Sequence, residues 1–86
     1  KAFLGVQAVD LRNGFTDTTL EIAHIKRAMI KAARRVIVLA DSTKFSHSGF
    51  IKVAPLTVAQ TIITDAGLPL DARTELEALN IEVLTV

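Results

Sequence analysis

Two acidic residues follow apolar runs that have the character of buried β-strands. Asp41 follows residues 36–40 and opens the sequence Asp-Ser-Thr-Lys that ends at Lys44, and Asp65 follows a second such run. Ligands bind outside the carboxyl ends of the strands in open parallel sheets, so both carboxylates are expected at a ligand-binding edge. Lys44 can neutralise a phosphate or a carboxylate as a point charge. The alternative is a plain turn in which Asp41 caps its own backbone and Lys44 points to water.

The segment from Asp10 to Asp17 is a second candidate for ligand contacts. It contains two carboxylates, Asn13 and Thr16, together with exposed backbone at Gly14. An Asn-Gly pair tolerates positive φ angles, so the segment is predicted to be a loop with a turn at residues 13–14. Either this loop converges on a ligand with Asp41 and Lys44, or it is only a turn that leads into a helix N-cap.

Lys26 is predicted to lie on the apolar side of the helix that follows this loop. At 100° per residue it falls between Ile22 and Met29, whereas the other basic residues lie on the opposite side. An inward-facing lysine extends its ammonium to the surface or pairs with a carboxylate, because an unpaired buried charge is costly. Two roles stay open, a structural pair with Asp10 or Asp41 and a contact with a ligand.

Several kinds of site and partner are not expected from this composition. The chain has no cysteine, and neither His24 nor His47 has a second ligand at metal-binding spacing, so no metal is predicted. No Gly-rich phosphate loop or nucleophile motif is present, so no cofactor and no catalytic residue are predicted. The net charge of +1 predicts that the chain itself does not bind nucleic acid. The absence of an 18-residue apolar run predicts a cytoplasmic protein without a membrane partner.

The apolar pattern predicts strands that alternate with helices. Strands are predicted at residues 2–6, 36–40, 50–53, 61–64 and 81–86, and helices at about residues 19–34 and from Pro69 through Leu76 and Leu79. The first helix is expected to pack through Ile22, Ile25 and Met29, and the strand at 36–40 to be covered on both faces. These elements predict an α/β fold with an open, mainly parallel sheet and flanking helices, half of a doubly wound domain.

The chain is short for the amount of apolar surface that it carries. It has 86 residues, half of them apolar, and its first residues already have the character of a strand. An isolated domain of this size buries only roughly 60 % of the surface of its unfolded chain. We therefore expect the sequence to be part of a longer chain, with further polypeptide or a partner subunit covering the excess apolar surface.

Several stretches, taken in their order and spacing, resemble the sensor domain of the DeoR family of sugar-catabolism regulators. The most specific are Leu-Ala-Asp-Ser-Thr-Lys-Phe at 39–45 and Ile-Ile-Thr-Asp at 62–65 with Leu-Pro at 68–69. Phe-Leu-Gly-Val at 3–6, Asn-Gly-Phe-Thr at 13–16 and Ile-Lys-Arg-Ala-Met-Ile at 25–30 match as well. The resemblance runs along the chain and is to the C-terminal part of that sensor.

The resemblance implies a fold and a set of partners. The fold would be part of a Rossmann-like domain related to ribose-5-phosphate isomerase and glucosamine-6-phosphate deaminase. Residues 1–86 would be the C-terminal portion of the sensor, without its first half and without the N-terminal winged helix-turn-helix. A phosphorylated sugar would be the effector, operator DNA would be bound only through the missing N-terminal domain, and the regulator would be a homo-oligomer, typically a repressor.

The resemblance also implies which residues bind the effector, and these are Asp10, Gly14, Lys26, Asp41 and Lys44. Asp10 and the Gly14 loop fall where the related isomerases keep acidic residues, and Lys26 matches the helix lysine of the family. A rival hypothesis is a fragment of a sugar-phosphate isomerase with Asp10 as general base and Lys44 as electrostatic stabiliser. A third is a purely structural oligomerisation segment. Because no second acid or base accompanies Asp10, a regulator is predicted rather than an enzyme.

Overall fold

Four short apolar strands form a wholly parallel sheet in the computed structural model, which describes residues 1–86. The strands of the chain are β1 (Ala2–Gly5), β2 (Ala8–Asp10), β3 (Gly14–Asp17), β4 (Val36–Leu39), β5 (Ile51–Ala54), β6 (Thr61–Thr64) and β7 (Glu82–Thr85), and the helices are α1 (Leu20–Ala32) and α2 (Leu70–Ala78). The parallel sheet has the order β1-β4-β6-β7. The predicted α/β fold with a mainly parallel sheet is confirmed.

A second, smaller sheet was not predicted. Strands β2, β3 and β5 pair antiparallel, so most of the segment expected to be a loop between Asp10 and Asp17 is a hairpin. Its turn is closed by Asp10, whose Oδ1 accepts hydrogen bonds from the backbone N–H groups of Arg12 (2.8 Å) and Asn13 (3.1 Å). With only three residues in β2, the alternation of apolar and polar positions is too short to distinguish a strand from a loop.

The two faces of the parallel sheet differ in how well they are covered. The inner face carries Leu4, Val38, Ile62 and Val83, which lie side by side in register and are all buried. On the outer face, Leu39 is 43 % exposed, so the prediction that β4 is covered on both faces is wrong within this chain. The order β1-β4-β6-β7 explains this, because right-handed crossovers of a sheet that grows in one direction all lie on the same side.

Helix α1 packs through a different side from the one predicted. It begins after Thr19, whose side-chain oxygen accepts from the backbone N–H of Ile22 at 3.2 Å, and it ends at Ala32, two residues earlier than expected. Ala23 is fully buried, whereas Ile25 is 62 % exposed. The small Ala23 side chain allows the close approach of α1 to β3 and β5, so the apolar stripe with Ile25 is left on the surface.

The hydrophobic core joins the two sheets and the two helices. Its largest fully buried side chains are Phe15, Ile62, Leu76, Val9 and Val38. They come from the hairpin, from the parallel sheet and from α2, and they belong to one contiguous cluster. The core therefore fixes the carboxyl ends of β1, β4 and β6 relative to one another, and the loops with the polar residues of interest start there.

Neither helix combines the length and apolar character that crossing a membrane would need.

Candidate functional site

The loop after β4 is a short 3-10 helix, Ser42–Ser46, that holds Lys44 next to the end of the strand. Asp41 caps it, since its Oδ1 accepts from the backbone N–H of Thr43 at 2.9 Å and also from the Thr43 hydroxyl. The Thr43 hydroxyl hydrogen bond lowers the pKa of Asp41 below its ordinary value. Asp41 Oδ2 lies 4.0 Å from Lys44 Nζ. The capping role of Asp41 and its proximity to Lys44 are thus combined in one turn.

Asp65 connects this turn to the loop after β6. One of its carboxylate oxygens accepts from the backbone N–H of Ser42 at 3.0 Å, and the other accepts from the N–H of Gly67 at 2.8 Å. The hydrogen bonds from Ser42 are the main reason why the pKa of Asp65 is lowered. Asp65 was predicted from the sequence to be an acid at the sheet edge but was not predicted to be an effector residue. The structure gives it a positioning role for the loop that carries Lys44.

A cavity of about 440 Å³ lies at the carboxyl ends of β1, β4 and β6. Its lining consists of Gly5, Val6, Leu39, Ala40, Asp41, Lys44, Ile63, Thr64, Asp65 and Val86. The two acids and the lysine therefore border a surface formed by apolar side chains. Such a cavity can take a ligand with a charged end and a less polar body. No group of three or more His, Asp or Glu side chains lies close enough to hold a metal ion.

Asp10 does not line this cavity, although β2 contacts the short 3-10 helix that carries Lys44, so the Asp10 loop lies beside this helix without sharing the cavity. It borders a separate cavity of about 290 Å³ together with Arg12 and His47, and the two cavities share no lining residue. Its carboxylate accepts from Ser48 as well as from the hairpin turn, and these hydrogen bonds, that from Ser48 first, lower its pKa to about 2. Asp10 thus ties the hairpin to the segment before β5.

Acid is expected to weaken the fold partly through Asp10. Its pKa in the folded protein, about 2, is below the ordinary value of 3.8, so its stabilising contribution is present above about pH 4 and is lost as the pH falls toward 2. Urea unfolding at a series of pH values between 5 and 2 measures this. Asp10→Asn should reduce the loss of stability over that range, whereas Glu75→Gln, at an exposed position of α2, should leave it unchanged. Equal pH profiles for wild type and Asp10→Asn would contradict the assignment.

Lys26 pairs with Asp17, and not with Asp10 or Asp41 as expected. Its Nζ lies 2.5 Å from Asp17 Oδ2 and donates to the backbone oxygen of Gly5 at 2.6 Å. The side chains of Lys26 and Asp17 are only 20 % and 7 % exposed. Lys26 meets Asp17 because the hairpin brings the end of β3, where Asp17 lies, next to α1. Lys26 therefore contacts the carboxyl end of β1, whose Gly5 lines the larger cavity.

Gly14 lines neither cavity. It starts β3 with a φ of +96°, which only glycine adopts readily, and a Cβ at this position would collide with the backbone of Ala54 and Pro55. Of the five residues implied by the resemblance, Asp41 and Lys44 lie together at the sheet edge. Lys26 donates to the backbone carbonyl of Gly5 in β1, and Asp10 and Gly14 maintain the hairpin and its packing on β5.

Comparison with known proteins gives a consistent group of matches. Residues 1–66 match the sequence profile of the DeoR C-terminal sensor domain. The chain is 37 % identical over 84 residues to an Escherichia coli O157:H7 protein named as a candidate transcriptional repressor of the aga operon, with 98 % of this chain and 31 % of that protein covered. It is 33 % identical over 82 residues to the HTH-type transcriptional regulator GlpR of Haloferax volcanii, covering 95 % and 32 %.

A third relative is the HTH-type transcriptional repressor GlcR of Bacillus subtilis. It is 37 % identical over 65 residues, which cover 76 % of this chain and 25 % of that protein. The chain thus spans between a quarter and a third of the length of these relatives. Their names are those of transcriptional regulators and not of enzymes.

Proposed function

Because this chain belongs to the family of DeoR C-terminal sensor domains, we propose that it contributes the binding site for a phosphorylated sugar that controls a transcriptional regulator. The observation that supports this best is Lys44, fixed at the carboxyl edge of the parallel sheet above a cavity of about 440 Å³. The turn at Asp41 and the link from Asp65 to Ser42 hold it there. Binding without turnover is sufficient for such a sensor.

Each part of the proposed site has a chemical task. The Lys44 ammonium would neutralise part of the phosphate charge, and its side chain is 34 % exposed and therefore accessible. Asp41 and Asp65 accept hydrogen bonds from the loops, and their remaining lone pairs suit the hydroxyl groups of a sugar. We assign Asp41 and Lys44 as effector contacts, and Asp10, Gly14 and Lys26 as residues that maintain the shape of the domain around them.

The rest of the regulator would complete the site and connect it to DNA. We propose that residues 1–86 are the C-terminal portion of a Rossmann-like sensor related to ribose-5-phosphate isomerase, since they span at most about a third of the relatives. The first half of the sensor would cover the outer face of the parallel sheet, where Phe3 is 56 % exposed. Operator DNA would be bound by a separate N-terminal domain of a homo-oligomer, and the effector would favour one of two arrangements of that assembly.

The proposal predicts preference for the phosphorylated form of a sugar. Calorimetry with glucose 6-phosphate and glucose, and with fructose 1-phosphate and fructose, should give higher affinity for the phosphorylated member of at least one pair. Lys44→Ala should weaken binding of that phosphorylated sugar by about 1.5–3 kcal/mol, the contribution of a hydrogen bond to a charged group.

The matched control for this experiment is Lys52→Ala, which removes an exposed lysine of β5 that lines neither cavity. It should leave the affinity for both members of the pair unchanged. Equal affinity of the wild-type protein for each phosphorylated sugar and its free form would contradict the proposed function.

A further inference from the structure

Residues 41–49, which we call the Lys44 segment, are held by hydrogen bonds at both of their ends. At the first end, a carboxylate of the loop after β6 accepts from the backbone N–H of Ser42 at 3.0 Å. At the other end, the Thr16 hydroxyl accepts from the backbone N–H of Gly49 at 2.7 Å. Lys44 lies between these two supports, in the short 3-10 helix, so its position depends on both.

The hydroxyl group of Thr16 lies in the core, where a polar group is costly unless it is hydrogen-bonded. Thr16 is 3 % exposed, and every residue of β3 is buried. The hydroxyl donates to the carbonyl of Ala8 over a long distance, 3.4 Å, whereas its bond with the N–H of Gly49 is much shorter. A residue needed only for packing would be apolar at such a position. The hydroxyl therefore serves mainly the contact with the Lys44 segment.

The Lys44 segment passes so close to the hairpin that a side chain is excluded there. An added Cβ at Gly49 would lie 2.9 Å from the backbone oxygen of Asp17 and 3.0 Å from Thr16 Oγ1. One residue earlier, Ser48 donates to the carboxylate of Asp10, and β2 contacts the 3-10 helix. All of these contacts are made between residues of this chain, so they do not depend on what covers its remaining surface.

We propose that Thr16 is a positioning residue of the effector site, which acts through Lys44 and does not touch the ligand. The inference rests on the proposed function, in which Lys44 binds the phosphate group, and adds the part of the hairpin that keeps this lysine in place. Thr16 itself lines neither cavity. Without its hydroxyl, the N–H of Gly49 has no acceptor, and only the hydrogen bond of Ser48 still ties the segment to the hairpin. The Lys44 ammonium then occupies more positions, and the fraction of molecules ready to bind phosphate falls.

The test compares Thr16→Val with Thr16→Ser by calorimetry on the intact regulator, with glucose 6-phosphate and fructose 1-phosphate as probes. Thr16→Val keeps the shape of the side chain and removes the hydroxyl. It should lower the affinity for the more tightly bound probe by about threefold to thirtyfold, the range for residues coupled to a site without contacting its ligand. Thr16→Ser keeps the hydroxyl and loses a buried methyl group, so it should bind as the wild type does although its melting temperature falls. The affinity should thus follow the hydroxyl and not the stability.

A double-mutant cycle with Lys44→Ala tests whether Thr16 acts through Lys44. In the Lys44→Ala background, Thr16→Val should cause no further loss of affinity, because the group that Thr16 positions is gone. Should Thr16→Val fail to fold, Ser48→Ala carries the same test, since it releases the neighbouring hydrogen bond to the hairpin at an exposed position.

Thr61→Val is the matched control, because it removes another buried strand hydroxyl, one that donates to Glu82 and lines neither cavity. It should bind both probes as the wild type does. Unchanged affinity of Thr16→Val, an equal loss in Thr16→Ser, or a loss that adds to that of Lys44→Ala would overturn the positioning role and leave the proposed function intact. If the wild type bound neither probe, or if Lys44→Ala bound both as the wild type does, the proposed function would fail, and the role of Thr16 with it.

Discussion

Replacing Asp17 with alanine is expected to lower the free energy of unfolding by about 3–5 kcal/mol, the cost of leaving one member of a buried ion pair without its partner. The carboxylate of Asp17 is 7 % exposed and lies 2.5 Å from the Lys26 ammonium. Without it, Lys26 would keep only the carbonyl of Gly5 as an acceptor, and its charge would be largely shielded from water. The same change would loosen the carboxyl end of β1 beside the proposed ligand cavity.

A double-mutant cycle with Lys26→Met separates the ion pair from general packing. Methionine keeps the volume of the lysine stem, so Lys26→Met leaves Asp17 unpaired without creating a large cavity. The double variant should be less destabilised than the sum of the two single variants, because neither charge is then left alone. Glu77→Ala, which breaks an exposed pair with Arg73, should cost less than about 1 kcal/mol. If the losses of unfolding free energy were additive in the cycle, the ion pair between Asp17 and Lys26 would not be the cause of the destabilisation.

The parallel sheet could be predicted because its strands are apolar runs that end abruptly. Residues 36–40 and 61–64 are predicted as strands, and the structure has β4 and β6 within one residue of those bounds. The hairpin of β2 and β3 could not be predicted, since its residues are those of turns as well as of short strands. The packing side of α1 was predicted wrongly, because periodicity identifies an apolar stripe but not whether this chain contains the surface that covers it.

The proposed site was predictable in part because it lies at the ends of these predictable strands. The rule that ligands bind at the carboxyl ends of parallel strands located Asp41 and Lys44, which depend only on β4 and the turn after it. The partner of Lys26 depends on the hairpin, so Asp17 was identified only as one of the two carboxylates of the predicted loop.

Replacing Gly14 with alanine is expected to lower the free energy of unfolding by about 2–5 kcal/mol, the sum of a strained left-handed backbone and a core contact that is too close. The φ of Gly14 is +96°, and a Cβ there would meet the carbonyl oxygen of Ala54 and lie 3.0 Å from Pro55 Cα. Since those atoms belong to the backbone, they cannot move aside as a flexible side chain would. The hairpin would have to shift away from β5.

Gly5→Ala provides the matched comparison for Gly14→Ala, because it makes the same change at a glycine with no positive φ and no neighbour within 4 Å of the added Cβ. It should leave the free energy of unfolding unchanged or raise it, since alanine restricts the unfolded chain. Urea unfolding of both variants measures the difference. If Gly14→Ala unfolded like the wild type but lost affinity for the phosphorylated sugar, Gly14 would be a ligand contact after all. A loss of stability that accounts for any loss of binding would confirm its structural role.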